Sequence, residues 1–535
     1  MAACLLLSLT ALGLSLGLII VMIAGCCRQH TADSRKKKRR RKLPSSRSPT
    51  AIAHQGCCSA STSSLLVSAW CSQSQSQSQH SKLMLLLALA LLFLHLGPPP
   101  PPLGVGVAAA ASSVSPRRMA RVQSHLDRIN KRAVRSIRSL DGDTIDCVAL
   151  QEQHALDHPL LKEHTVQTEP ASFPHPAVTA AAAQDLKTMT TKASAGNGSS
   201  TNENKNRSSR WGAWQSWHHG GHCPSGTVAI RRTTADDVLR ASSIARFGRK
   251  KKKTRLLKVD AARAPNAPPD VISGNGHEHA IAYTAPTQQP VYGAKATINV
   301  WDPAIQESNG FSLSQLWILS GSFNGSDLNS IEAGWQVSPE LYGDSRPRLF
   351  TYWTSDAYEA TGCYNALCPG FVQTSSRIAI GASISPVSSP GGAQFDMTLL
   401  VWKDPKLGNW WLSYGDQLVG YWPAQLFTHL SDHATMVEWG GEVVDTRPAG
   451  LHTATQMGSG RFAAEGFARA SYFRNLETVD ADNSLAEVPL DAIQTLAENQ
   501  ACYDIRKAYD DDDHGGGGWG THFYYGGPGH NPACP

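Results

Sequence analysis

The chain has 535 residues, more than one ordinary domain needs, so at least two folding units are expected. Hydrophobic residues make up 41%, with 14 Trp, 13 Tyr and 13 Phe, enough to bury a sizeable core, which excludes a wholly disordered chain. The formal charge of +6 is segregated: residues 1–111 hold 11 Lys/Arg against one Asp, residues 277–535 hold 12 against 28 Asp/Glu, and 112–276 carry a net +12. The acidic C-terminal half is therefore unsuited to nucleic acid.

Residues Leu5 to Ala24 are uncharged and apolar, long enough to span a bilayer. A run of eight cations follows, Arg35 to Lys42, and residues 72–79 are a Ser/Gln repeat that cannot build a core. A second apolar run, Leu85 to Leu96, is preceded by Lys82 and followed by Pro98–Pro102 and the small residues Ala108–Ala111. That order is the order of a secretory signal. The expected reading is a start at Met84, a signal over 84–111 and a secreted product, which the resemblance described below would place in the apoplast, cell wall or vacuolar lumen. Residues 1–83 are then a gene-model extension, and membrane attachment follows only if residues 5–24 are real and retained.

Residues 112–248 read as a small, basic α+β pro-segment. A helix-compatible pattern runs from Arg117 to Arg138, a strand is expected at Thr227–Ile230, and a short helix at Thr234–Ala245 has Asp236 and Asp237 in its first turn. Residues 190–210 read as a linker with sequons at Asn197 and Asn206; a further sequon is at Asn324. Arg249–Lys253 and the Pro-rich stretch to Asn275 make a processing linker, 249–276. The opposite charges of the middle segment and the C-terminal half predict that the two dock in cis, less firmly in salt or acid.

Of the 12 Cys, six precede residue 112. The other six form an even set behind an export signal, which favours disulfides, with Cys147–Cys223, Cys363–Cys368 and Cys502–Cys534 as the proposed pairs. No zinc-binding spacing is present, and no metal or other cofactor is expected.

Residues 277–535 read as an all-β antiparallel sandwich. Short strand-like runs recur at Ala296–Trp301, Ser314–Gly321, Ile331–Val337, Arg348–Thr354, Phe395–Trp402, Trp410–Tyr414 and Met436–Val444, and helical periodicity is confined to Leu485–Ala497. Two runs carry carboxylates beside glycine. In Ile331–Val337, alternation places Ile331, Ala333, Trp335 and Val337 on an inward apolar face and Glu332, Gly334 and Gln336 on the other. In Met436–Val443, Glu438, Gly440 and Glu442 share a parity, and the Gly440–Gly441 pair suggests a bulge. If the two strands are neighbours, Glu332 and Glu442 face each other across a groove fit for an extended peptide. The plainer alternative is two solvated surface glutamates.

The motifs resemble the neprosin family of plant secreted glutamic peptidases over roughly residues 125–535. In the middle segment the likeness rests on Ser139–Cys147, His158–Lys162, Cys223–Val228, Leu239–Ser243 and Arg246–Arg249. In the acidic half it rests on His277–Ala280, Ile331–Val337, Thr361–Asn365, Trp439–Val443 and Tyr524–Gly529. The resemblance implies an inhibitory activation segment, a sandwich peptidase domain, and cleavage on the carboxyl side of proline in acid. It assigns the catalytic pair to Glu332 and Glu442, the two that strand parity selects. The stretch Asp510–Gly518, between Cys502 and Cys534, departs from the family pattern and reads as a surface insertion.

Two close carboxylates can divide base and acid roles by sharing one proton. Gln336 is a candidate to bind the oxyanion, Gly334 and Gly440 to let substrate approach, and Tyr421, Trp422 and the Trp410–Trp411 pair to form a proline subsite. His277 and His279 read as structural. The expected partners are proline-containing peptides and the chain's own pro-segment, and a monomer is expected. A secreted carbohydrate- or cell-wall-binding sandwich, or a glycosidase using two carboxylates, is the competing function.

Overall fold

A computed structural model describes residues 114–177, 214–250, 276–284, 289–321, 327–445, 447–508 and 518–535. The export-like segments and the sequons at Asn197, Asn206 and Asn324 lie outside the described residues.

The first described element is helix α1 (Pro116–Ile129), whose N-terminus is capped by Ser115, with Pro116 at its start. It buries Val122, Leu126 and Ile129. The helical pattern expected to Arg138 ends early: residues after Asn130 turn into strand β1 (Ala133–Arg138), which pairs with β2 (Thr144–Ala149). A two-residue strand β3 (His175–Pro176) follows, then β4 (Thr227–Arg231), completing a sheet in the order β1-β2-β4. The Cys147–Cys223 disulfide fastens this unit. Helix α2 (Ala235–Arg240) carries a capping box: Thr234 Oγ1 accepts from Asp237 N–H while Asp237 accepts from Thr234 N–H.

Then come β5 (His277–Thr284), β6 (Gly293–Asn299), β7 (Ser312–Ser320), β8 (Asn329–Val337), the short helix α3 (Pro339–Tyr342), β9 (Arg348–Thr354) and β10 (Val372–Gln373). They are followed by β11 (Asp396–Lys403), β12 (Trp410–Tyr414), β13 (Gln417–Trp422) and β14 (Met436–Val444). The last are β15 (Ser471–Val479), β16 (Ser484–Glu487), β17 (Ile493–Ala497), β18 (Asp504–Ala508) and β19 (His522–Gly526). The helical periodicity read over Leu485–Ala497 is overturned: β16 and β17 occupy it, because each finds a strand partner, β15 and β5.

Two mainly antiparallel sheets form the sandwich. One has six strands, β17-β5-β14-β7-β8-β9; the other has ten, with the path β10-β13-β12-β11-β6-β15-β16-β3 and β19 and β18 attached at β15. Alternation decides what lies between them. From the six-stranded sheet Ala280, Leu316, Ile318, Ile331, Ala333, Trp335 and Trp439 enter the core; from the other come Ala294, Ala296, Ile298, Leu399, Val401 and Leu412. Trp335 is inward as parity requires, its indole N–H donating to Asn299 O at 2.9 Å. Cys363–Cys368 and Cys502–Cys534 are bonded, the same pairs that the cysteine count suggested. No helix among the described residues is long and apolar enough to cross a membrane.

Candidate active site

The outer face of the six-stranded sheet holds both glutamates, on strands that are not neighbours. β7 lies between β8 and β14, so the expectation of adjacent strands is corrected. Register sorts the face into three cross-strand rows. The first runs Tyr352, Glu332, Trp317, Glu438, Tyr283; the second Phe350, Gly334, Gln315, Gly440, Ile281; the third Arg348, Gln336, Leu313, Glu442, His279. Glu332 and Glu442 therefore stand diagonally on opposite sides of the middle row. Its floor is low because two of its positions are glycine.

Those glycines are forced by close approach of neighbouring strands. A Cβ on Gly334 would sit 2.0 Å from Ser314 O, and one on Gly440, whose φ is +153°, 2.3 Å from Ala280 O. The predicted bulge at Gly440–Gly441 is absent: β14 pairs with β5 and β7 without a register shift. Nor are the glutamates solvated, since Glu332 is 0% and Glu442 2% exposed. Burial of carboxylates on this scale requires partners.

Glu332 has four. Its Oε1 accepts from Ser330 Oγ and Tyr358 Oη, each at 2.8 Å, and its Oε2 accepts from Gln315 Nε2 at 3.3 Å and from Lys250 Nζ at 2.8 Å. Tyr358 is delivered by a tight loop in which Ala357 and Tyr358 both take positive φ. Asp356 pins that loop through the N–H groups of Ala360 and Thr361. Glu442 is met from the neighbouring strand β5: His277 Nδ1 lies 2.5 Å and His279 Nε2 4.0 Å from its Oε1. Glu498 in turn accepts from His279 through Nδ1, at 2.9 Å, and through the backbone N–H.

Lys250 reaches in from the segment before β5. Its side chain is 12% exposed, with its ammonium 5.1 Å from the ring centre of Tyr352 and 4.7 Å from that of Tyr358, and its backbone N–H donates to Tyr352 Oη. Its approach is fixed by the Cys363–Cys368 loop, where Tyr364 N–H donates to Gly248 O at 2.7 Å. Desolvation disfavours its charge, but Glu332 and more distant Glu442 hold its pKa well above the ordinary lysine value. Burial likewise pushes the Glu442 carboxyl up, yet the Lys250 charge and the His277 hydrogen bond overcome it and hold the carboxyl well below the ordinary range. One ammonium thus bears on both glutamates.

Other predicted residues fall elsewhere. Gln336 shares the row of Glu442 and is two same-face positions from Glu332; its Oε1 is buried with no partner among the described residues. The amide touching Glu332 is instead Gln315, on the intervening strand, which sequence reading passed over. Tyr421, Trp422, Trp410 and Trp411 belong to the ten-stranded sheet, so the proposed proline subsite is overturned. Trp410 and Trp422 face the core and Trp411 and Tyr421 lie on the opposite surface, because β12 and β13 form a hairpin in that sheet. Lys250 was read only as part of a processing signal and His277 and His279 only as structural. The alternating His-Glu-His motif at the start of β5 was the signal that could have placed two imidazoles on one face.

A family model described as Neprosin activation peptide matches residues 136–283, and one described as Neprosin matches residues 308–528. The chain belongs to the neprosin family. The activation-peptide match precedes the neprosin match; it holds Lys250 and also runs into β5, with His277 and His279, which stays in the six-stranded sheet. Among solved structures the chain is similar to scytalido-glutamic peptidase with a transition-state analog inhibitor. Identity is 15% over 47% of this chain and 97% of that one, with a TM-score of 0.25. It is also similar to CG-16, a homodimeric agglutinin from chicken liver, at 10% identity over 30% and 92% of the two chains, with a TM-score of 0.17.

Charge contrast alone does not dock the activation peptide. Lys250–Glu332 has the expected polarity, but at the other strong contact the signs are reversed. There Arg348 of β9 pairs with Asp143 at 2.5 Å, and Arg231 of β4 pairs with the same Asp143 at 2.9 Å. Both guanidiniums lie over the ring of Tyr342, Arg348 at 5.1 Å and Arg231 at 5.9 Å.

Proposed function

We propose that the chain is the zymogen of a secreted glutamic peptidase that cleaves on the carboxyl side of proline in acid, with Glu332 and Glu442 as the catalytic pair. The observation that carries this reading is Lys250 of the activation peptide, seated on Glu332 in a floor-and-banks cleft with its charge felt by Glu442. An inhibitory cation has reason to lie there only if the two carboxylates do the work.

Removal of the activation peptide takes the ammonium away and leaves the pair unequal. Glu442 keeps its contact with His277 and takes the proton of the attacking water. Glu332 is left with Ser330, Tyr358 and Gln315. The two hydroxyls can turn to accept, so this site tolerates a protonated carboxyl, which gives its proton to the carbonyl oxygen as water adds; Glu442 then passes the water proton to the leaving amine as the C–N bond breaks, and Glu332 takes back the proton of the hydroxyl that becomes the new carbonyl. Gln315 Nε2, already beside Glu332, is placed to stabilise the oxyanion. The substrate lies over Gly334, Gln315 and Gly440. In the assay that tests this, acid-treated protein is incubated with peptides containing one proline and the fragments are weighed. Fragments ending in proline are the expected result; intact peptides, or cuts unrelated to proline, would refute the reading.

A further inference from the structure

The ten-stranded sheet has its own outer face, and it carries a row of aromatic rings. Register aligns Trp402 of β11 with Trp411 of β12 and Trp411 with Tyr421 of β13. Ring centres are 6.5 Å apart in the first pair and 4.6 Å in the second. The row continues into Gly293, where a Cβ would meet Val401 O at 2.5 Å, so the row ends in a shelf without a side chain. Neighbours on the same face, such as Lys295, Thr398 and Leu400, are partly exposed, yet the three aromatics are 0% exposed.

What covers them is a strap of the activation peptide that crosses the sheet strand by strand. Gln153 bonds Gln373 of β10, His164 and Gln167 meet Tyr421, Ser172 and Phe173 meet Trp402, and β3 pairs with β16. Residues 159–176 of the strap hold Pro159, Pro170, Pro174 and Pro176.

The face reads the main chain of this strap. Tyr421 Oη accepts from Gln167 N–H at 3.0 Å, Asp404 accepts from Ala171 N–H at 2.5 Å, and Trp402 Nε1 donates to Ser172 O at 3.1 Å. The indole N–H of Trp411, in the middle of the row, is buried with no acceptor among the described residues. The rings themselves meet His164 and Phe173 of the strap, and the indole and hydroxyl groups take its peptide units; aromatic faces flanked by such donors and acceptors are how extended proline-rich segments are held. Three bare aromatic rings would also form a larger apolar patch than a monomer ordinarily exposes.

We infer that loss of the activation peptide uncovers an exosite along Trp402, Trp411 and Tyr421 that binds extended proline-rich segments of substrate proteins in trans, in the place the strap occupies in cis. The inference rests on the zymogen reading above for the removal of the strap, but not on the assignment of the glutamates. Main-chain recognition favours a peptide: the face meets two backbone N–H groups and one backbone carbonyl of the strap.

The test separates binding from chemistry. The Glu332→Gln chain is cut by limited trypsin in the Arg249–Lys253 run, and the pro-segment is stripped by gel filtration in acid. A fluorescent synthetic peptide of residues 166–177 is then titrated against stripped and uncut protein. Stripped protein is expected to bind and uncut protein not to. Trp411→Phe and Tyr421→Phe, which keep an aromatic ring in place, are each expected to weaken binding about tenfold. In otherwise wild-type mature protein they lower kcat/KM by a similar factor on a long proline-rich protein while leaving a short chromogenic peptide unchanged. The exosite is overturned by equal binding to cut and uncut protein, by indifference to both variants, by a pro-segment that stays bound after cutting in acid, or by displacement of the peptide with a cello- or galacto-oligosaccharide. Peptide binding without any hydrolysis would sustain the exosite and defeat the peptidase reading instead.

Discussion

The two outer faces of this sandwich are covered by one activation peptide in two different ways. Over the glutamates the cover, among the described residues, is the charge of Lys250, held in a cage of Tyr352, Tyr358 and Glu332. Over the aromatic row it is an extended strap held by main-chain hydrogen bonds and ring contacts. The first cover responds to protons and the second is mainly a matter of surface and shape. Acid is therefore expected to loosen the plug before the strap, with cleavage needed to free both.

The largest effect that tests the contrast is on chemistry. Glu332→Gln and Glu442→Gln should each reduce proline-directed hydrolysis by about 10²–10⁴-fold, the range for loss of a general acid or base. Both proteins should still fold with the three disulfides, because a carboxamide fills the same space. Mass analysis of peptide products, with circular dichroism as the folding control, checks this. Unchanged turnover in either variant removes that residue from the pair.

Next in size is the plug. Lys250→Met keeps the bulk and removes the charge, so the uncut chain should gain activity toward short peptides that do not need the covered exosite. The pH dependence follows from sign. The Lys250 charge, together with the His277 hydrogen bond, holds the docked Glu442 carboxyl below its ordinary value of 4.5. The stability contributed by this pairing is fully present above 4.5, and it is lost as pH falls through the lowered value. Release of the wild-type plug should accelerate as pH falls below 4.5, and the variant should show a flatter profile. Identical profiles for the two would mean that Lys250 does not govern latency.

A third contrast lies at the reversed ion pair. Asp143→Asn leaves Arg348 with Asp344 and Arg231 with Asp237, so the loss is partial. A cost of about 1–3 kcal/mol to docking is expected for a buried charge deprived of one partner. Denaturant-induced release of the cut pro-segment reads it directly. No shift in the release midpoint would show that the docking is carried by the strap alone.

Much of the glutamate face was legible because strand alternation and glycine spacing are local. Glu332, Gly334 and Gln336 declare one face within a single strand, as do Glu438, Gly440 and Glu442, and hydrophobic alternation correctly turns Trp335 inward. What alternation does not carry is strand order. The presence of β7 between β8 and β14 made Gln315 a partner of Glu332, and Gln336, four residues along β8, stands on the other bank. The same gap misplaced the aromatics: Tyr421 and Trp422 looked like a subsite until hairpin pairing put them in the other sheet. At Leu485–Ala497, helical periodicity lost to the pairing of β16 with β15 and β17 with β5. Lys250 stood in a run of like charges, and only a folded chain singles out the one that enters a cleft.

The smallest expected effect concerns the third carboxylate of the face. Glu438 is 1% exposed and stands in the same row as Glu332, with Trp317 between them, so by register alone it competes with Glu442 for the second catalytic role. The row geometry argues against it. Glu438 and Glu332 lie on the same bank of the Gly334–Gln315–Gly440 floor, and a peptide lying on that floor would present its scissile carbonyl between Glu332 and Glu442. Across the sheet, β5 places Tyr283 rather than an imidazole beside Glu438, whereas Glu442 has His277 at 2.5 Å. Glu438→Gln should therefore change kcat by less than about threefold and leave the acid limb of the pH profile where it was, while His277→Gln should move that limb. If Glu438→Gln abolishes turnover and Glu442→Gln does not, the pair is the in-row one, and substrate must then cross the first row rather than lie along the glycine floor.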